Sequence, residues 1–152
     1  MRTEKLTVGE LPLLTELFEY NNADEMLARC ALEIQQGLID IFGLYEDETL
    51  IAELRVKYES EDEAFALRGK RAYLYAFRVR GEYQGRGYGK LLLKTVLARL
   101  EEAGYDEFTV GVEDDNLRAL HIYRSFGFNE FLLRKREEYQ GDAYEYSLYL
   151  RK

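Results

Sequence analysis

The sequence predicts an α/β fold, a central mixed sheet flanked by helices in one layered domain over residues 1–152. Three observations predict it. The hydrophobic period changes in a fixed order: two helical segments, two strands, then strand, helix, strand, helix, and a closing pair of strands. An apolar strand, Ala72 to Val79, runs through a glycine-rich turn into an amphipathic helix that stops at Gly104. The 152 residues contain no repeat, low-complexity segment or linker, and a chain of that length buries about 68–70% of its unfolded surface around one core.

Each element has a local reason. Lys5 to Val8 is β-like and reads as a first strand. Pro12 sits near the start of a helix, where its missing N–H is tolerated. Leu13, Leu14, Leu17 and Phe18 form the apolar face of that helix, and Asn21-Asn22 breaks it. Ala23 to Gln36 reads as a second helix, with Met26, Leu27, Cys30, Ala31 and Ile34 at helical spacing and Gly37 as its stop. Ile39 to Tyr45 and Thr49 to Tyr58 read as strands joined by the turn Glu46-Asp47-Glu48. Glu59 to Gly69 is a charged loop around Ala64-Phe65-Ala66-Leu67, either a cover for a binding site or a disordered connection.

After the central strand, Leu92, Leu93, Val96, Leu97 and Leu100 share one helix side, with Lys94, Arg99, Glu101 and Glu102 on the other. Tyr105 to Glu113 is the next strand, Asn116 to Phe126 a short helix. Phe128 to Glu138 and Ala143 to Leu150 close the chain as a hairpin turned at Gln140-Gly141-Asp142.

Bulk properties exclude several classes. The single cysteine, Cys30, forms no internal disulfide and reads as a small buried hydrophobe, which fits a reducing compartment. The N-terminal stretch lacks the apolar core of a signal peptide, and no apolar run reaches the ~18 residues of a membrane span. The expectation is a cytoplasmic protein with no membrane partner. A net charge of −8 argues against nucleic acid as a partner and suits a cationic one.

Strand, glycine turn, helix is an anion-binding layout. The first N–H groups of a helix lack intrahelical partners and lie at the positive end of its dipole. Gly85, Gly87 and Gly89 remove the Cβ atoms that would hold an anion off, and Arg86 and Lys90 add charge. No Gly-Lys-Ser/Thr follows at P-loop spacing, and the glycine period is not that of a dinucleotide fingerprint.

Gln84-Gly85-Arg86-Gly87-Tyr88-Gly89 resembles the Gln/Arg-x-x-Gly-x-Gly/Ala loop of the GNAT N-acetyltransferase superfamily, and Val79 stands where that family's fourth strand ends. Asn116, Ala119, Tyr123 and Gly127-Phe128 resemble the family's second acetyl-CoA motif, in register throughout. Gly81 departs from the family, where many members have Pro.

The resemblance implies an enzyme that moves the acetyl group of acetyl-CoA, a cosubstrate, to a primary amine on a small molecule or a peptide. It implies a homodimer as the common assembly; the residues themselves, with one histidine and no metal constellation, argue for no metal. Backbone N–H groups around Arg86, Gly87, Gly89 and Lys90 would take the pyrophosphate. Phe77 and Val79 would pair with the pantetheine arm as an added strand does, and a strand N–H near Phe77 or Arg78 would meet the oxyanion. Asn116 would bind near the same arm, or cap its helix, or both. Tyr123 would serve the departing thiolate. A phenol of pKa ~10 is a weaker acid than a thiol near ~8.5, so a hydrogen bond is expected of it rather than full proton donation.

An alkylammonium of pKa ~10.4 also needs a base. The central strand carries no acid, which leaves Glu53 and Glu113 as candidates. Glu19, Tyr20, Asn21, Asn22, Asp24, Glu25, Tyr73 and Tyr75 are candidates for the acceptor side. His121, the only histidine, reads as a helix-surface residue. The alternative from another class is a CoA-binding sensor domain that transfers nothing.

Overall fold

The computed structural model describes residues 1–152. It contains seven strands: β1 (Arg2–Lys5), β2 (Ile39–Glu46), β3 (Thr49–Lys57), β4 (Arg71–Val79), β5 (Glu107–Val112), β6 (Glu130–Tyr139) and β7 (Asp142–Arg151). The α-helices are α1 (Ala23–Gln35), α2 (Tyr88–Glu102) and α3 (Leu117–Ser125), and a 3-10 segment covers Val8–Glu16. The strands form a mixed sheet: β4–β5 is parallel, while β1–β2, β2–β3, β5–β7 and β6–β7 are antiparallel. The chain groups into two compact units, Met1–Lys57 with Ala76–Ala103, and Tyr58–Tyr75 with Gly104–Lys152.

The first unit carries strand order β1-β2-β3-β4, with the last part of β4. Its core gathers Leu6, Leu11, Leu14, Met26, Cys30, Ile39, Ile41, Tyr45 and Leu50. Asn22 starts α1 by accepting from the Glu25 backbone at 3.1 Å, and Met26 and Cys30 are its buried residues. α2 buries Leu92, Leu93, Val96, Leu97 and Leu100, the stripe its sequence predicts. The first strand lies earlier than its β-like pattern suggests, at Arg2–Lys5 rather than Lys5 to Val8. A capping box is the reason: Glu10 accepts from the Thr7 backbone and hydroxyl, each at 3.0 Å, and turns the chain into the 3-10 segment.

The second unit carries order β4-β5-β7-β6, with the first part of β4. Phe65, Tyr146 and Leu148 form a core cluster there. The loop Glu59 to Gly69 is not a disordered connection. Phe65 is buried, the Thr109 hydroxyl donates to its carbonyl at 2.6 Å, and Arg71 donates to the Ala64 carbonyl at 3.0 Å. The parallel β4–β5 ladder runs from Arg71–Glu107 to Leu74–Val110 and ends there. Gln140 and Gly141, both at positive φ, close the β6–β7 hairpin as a two-residue turn. No helix is long and apolar enough to cross a membrane.

Two glycine substitutions should separate by sign. Gly141→Ala places a Cβ at φ +87 and should cost about 1 kcal/mol. Gly81→Ala meets nothing within 4 Å and has no positive φ, so it should leave stability unchanged or raise it by about 0.5 kcal/mol. Urea unfolding of both variants checks this.

Candidate active site

In the first unit, β4 leads into the glycine turn. Ala76 holds φ +50 in mid-strand, a conformation that costs a non-glycine residue about 1–2 kcal/mol. Such a break re-aims the strand backbone that follows it, here Phe77, Arg78 and Val79. Arg80 anchors the strand end: its N–H donates to Ile51 at 2.7 Å, and its guanidinium donates to the Leu50 carbonyl at 2.8 and 3.1 Å. The Gln84 side chain donates to the Val79 carbonyl at 2.9 Å, folding the turn back on the strand.

The three glycines do different jobs. Gly85 and Gly87 have positive φ and open space where a Cβ would stand. Gly89 is a packing glycine, since its Cβ would lie 3.3 Å from Phe77 and 3.4 Å from Val79. Gly87 is the N-cap of α2 and offers no side-chain cap, and the first turn holds no acidic residue. The first intrahelical bond is Leu91 N–H to the Gly87 carbonyl, so Tyr88, Gly89 and Lys90 point donors out of the helix end. Lys90 and Arg86 are exposed beside them, with Arg86 over the Tyr83 ring. The arrangement can accept an anion of more than one charge.

The same unit buries Glu53. Glu53 on β3 is 0% exposed. Its Oε1 accepts from Arg78 at 2.9 Å and from Arg55 at 3.4 Å, while Oε2 is buried with no hydrogen-bond partner. Arg55 and Arg78 both donate to the Tyr20 hydroxyl at 2.9 Å, and Arg55 also reaches Cys30 Sγ at 3.5 Å. Arg78 lies 4.0 Å over the Phe18 ring. Burial raises the Glu53 pKa, and the two guanidiniums counter only part of that rise.

In the second unit, Asn116 caps α3, its Oδ1 accepting from Ala119 N–H at 3.2 Å. The capping reading is therefore realised, and Asn116 remains exposed. Tyr123 is half-buried on α3, edge-on to Phe128 at 5.7 Å. Burial pushes its pKa well up, so it is a neutral donor at any working pH. Glu113 is exposed beyond the end of β5. Its neighbour Asp114 accepts from Ser147 at 2.7 Å and pairs with Arg134, fastening the approach to α3. His121 is exposed on α3. No group of three His, Cys, Asp or Glu side chains is placed to hold a metal ion.

The structure thus places Phe77, Arg78, Val79, Gln84, Gly85, Arg86, Gly87, Tyr88, Gly89, Lys90 and Glu53 in one unit, and Asn116, Tyr123 and Glu113 in the other. Arg55 is the partner of Glu53 that the sequence reading missed. A signal existed: Glu53 and Arg55 alternate on one face of an otherwise apolar strand, which is how a buried pair reads.

A strand broken at Ala76 and a glycine turn leading into an uncapped, acid-free helix start make a backbone-donor end suited to an anion. The acetyltransferase (GNAT) family profile matches residues 10–128, and the chain belongs to that family. The [ribosomal protein bS18]-alanine N-acetyltransferase of Haemophilus influenzae is 38% identical over 64 residues, which are 42% of this chain and 43% of that protein. The chain spans less than half the length of the curated relatives it matches. Among solved structures, a ribosomal-protein-alanine N-acetyltransferase from Brucella melitensis superimposes with TM-score 0.77 at 15% identity, covering 99% of each chain. A spermidine N-acetyltransferase variant from Vibrio cholerae gives TM-score 0.76 at 16% identity, covering 99% of this chain and 94% of that one.

Removing a guanidinium from the buried carboxylate should be costly. Arg55→Met should lower stability by about 3 kcal/mol at neutral pH. The deficit should shrink as pH falls through the raised Glu53 pKa, because a protonated carboxyl no longer needs the partner. Denaturant unfolding at neutral and acid pH checks this; equal deficits at both would remove Glu53 from the account.

Proposed function

We propose that the protein transfers the acetyl group of acetyl-CoA to a primary amine of a small molecule or a peptide by direct attack. The observation that carries this is the uncapped, acid-free N-terminus of α2 behind Gly85 and Gly87, within a chain of the acetyltransferase family. The N–H groups of Tyr88, Gly89 and Lys90 bind the pyrophosphate, with Arg86 and Lys90 adding charge. The β4–β5 ladder ends at Leu74, before Phe77, which supports pairing of the pantetheine amides with Phe77 and Val79. The kink at Ala76 supports an oxyanion donor from the backbone near Phe77 or Arg78.

The amine nitrogen attacks the thioester carbonyl, the C–S bond breaks, and the amine's proton leaves through a base. Glu53 is the better of the two candidate acids. Its raised pKa brings it nearer to neutrality, and its Oε2 has an open lone pair. Glu113, exposed and solvated, is the alternative. Tyr123, held neutral by burial, donates a hydrogen bond to the developing thiolate, which finally takes the proton.

The test is thiol release from acetyl-CoA against a panel of polyamines, aminosugars, amino acids and peptides, with acetylated product measured alongside. Release with one amine class establishes transfer. Acetyl-CoA binding without any release supports the silent sensor domain instead.

Tyr123→Phe should lower kcat by about 10- to 100-fold while acetyl-CoA affinity holds; an unchanged kcat would remove Tyr123 from the chemistry. Activity should fall as pH drops through the raised Glu53 pKa, where the base becomes protonated. Glu53→Gln should abolish that acid limb. If Glu113→Gln abolishes it instead, Glu113 is the base.

A further inference from the structure

The β6–β7 hairpin carries a second arrangement of charge and aromatic rings. Register sets Glu137 opposite Tyr144 and Lys135 opposite Tyr146, so alternation puts all four on one face. Tyr146 donates to Glu137 Oε1 at 2.8 Å, and Tyr144 donates to Oε2 at 3.3 Å. The Lys135 ammonium lies 3.3 Å from Oε1 and 5.0 Å from the centre of the Phe65 ring. Phe65 meets Tyr73 edge-on at 5.1 Å and Tyr146 at 6.5 Å. Gly111 allows this convergence: a Cβ there would stand 2.7 Å from the Tyr146 ring and 3.3 Å from the Tyr73 hydroxyl.

This face already holds an alkylammonium, that of Lys135, between a carboxylate and an aromatic ring. Both are preferred surroundings for a cation. The Lys135 side chain is 47% exposed and that of Glu137 39%, so a solute can exchange with the pair. Burial pushes the Glu137 carboxyl up, but the bonds from Tyr146 and Lys135 outweigh it and keep the group anionic at neutral pH. Burial first, and then its electrostatic neighbours Glu137, Tyr144 and Tyr123, raise the Tyr73 pKa, so one tyrosine has both this face and the residue assigned to the thiolate around it. The chain's net charge of −8 favours approach of a cationic solute.

We propose that Glu137, walled by Tyr73, Tyr144 and Tyr146, is the subsite for a second positively charged group of the acceptor, an alkylammonium that displaces Lys135. The proposal rests on the acetyltransferase reading and narrows its substrate class to amines that carry another cation.

The experiment measures binding of butane-1,4-diamine and of butylamine to the full chain by calorimetry, with thiol release from acetyl-CoA followed in parallel. The wild-type protein should bind the diamine at least about tenfold more tightly than the monoamine. Glu137→Gln should bring the diamine down to the monoamine's level. Lys135→Met, which removes the internal competitor, should tighten diamine binding, and that gain cannot come from a misfolded chain. Equal binding of the two amines by wild type, or a preference unchanged in Glu137→Gln, overturns the subsite. A preference that depends on Glu137 without thiol release from any amine upholds the subsite and sinks the acetyl-transfer reading, so the two failures are distinguishable.

Discussion

A carboxylate removed from water must be answered by charges inside the protein, and the first unit is built around that demand. Glu53 has no exposed surface, and Arg55 and Arg78 supply the answering charges. Satisfying those two guanidiniums then recruits the Tyr20 hydroxyl, the Phe18 ring and the Cys30 sulfur. One acid on β3 thereby fixes the last turn before α1, a buried position on α1 and the strand segment after Ala76. Two cations meet one anion, and still burial keeps the carboxyl easier to protonate than in water.

Ala76 carries backbone strain within a strand, and it marks the boundary between the two compact units. Left-handed backbone in mid-strand is not an alanine preference, so the neighbours must impose it. The anchors lie on its C-terminal side: the Ile51 and Leu50 carbonyls take the backbone and guanidinium of Arg80, and Gln84 closes the turn onto Val79. With the strand end tied at those points, the break has nowhere to relax. The glycine turn then starts from a fixed position, which is what an anion site made of backbone donors requires.

What the sequence disclosed was what neighbours in the chain determine. The α2 stripe, the Gly37 and Gly104 stops, the Asn116 cap and the Gly85/Gly87 turn are all local, and each stands where the pattern puts it. The Thr7–Glu10 capping box was equally local and lay under a β-like run that masked it. The kink at Ala76 was not legible, because alanine announces nothing about a left-handed turn. Of the Glu53 cluster only the Glu53–Arg55 pair on β3 left a local signal; the other members come from β4, α1 and the turn before it and meet only after the sheet has formed. The division of labour among the glycines was half legible. Spacing identified the turn, but only the closeness of Phe77 and Val79 shows that Gly89 serves packing.

The contact between Arg55 and the lone cysteine gives the protein a built-in clock. Cys30 is buried, and burial raises its thiol pKa, so reagents that attack thiolates find almost none while the fold is closed. Its sulfur becomes available only when the packing that buries it opens. With one thiol in the chain, the rate of its modification counts those openings alone, in a signal that no second site can contaminate.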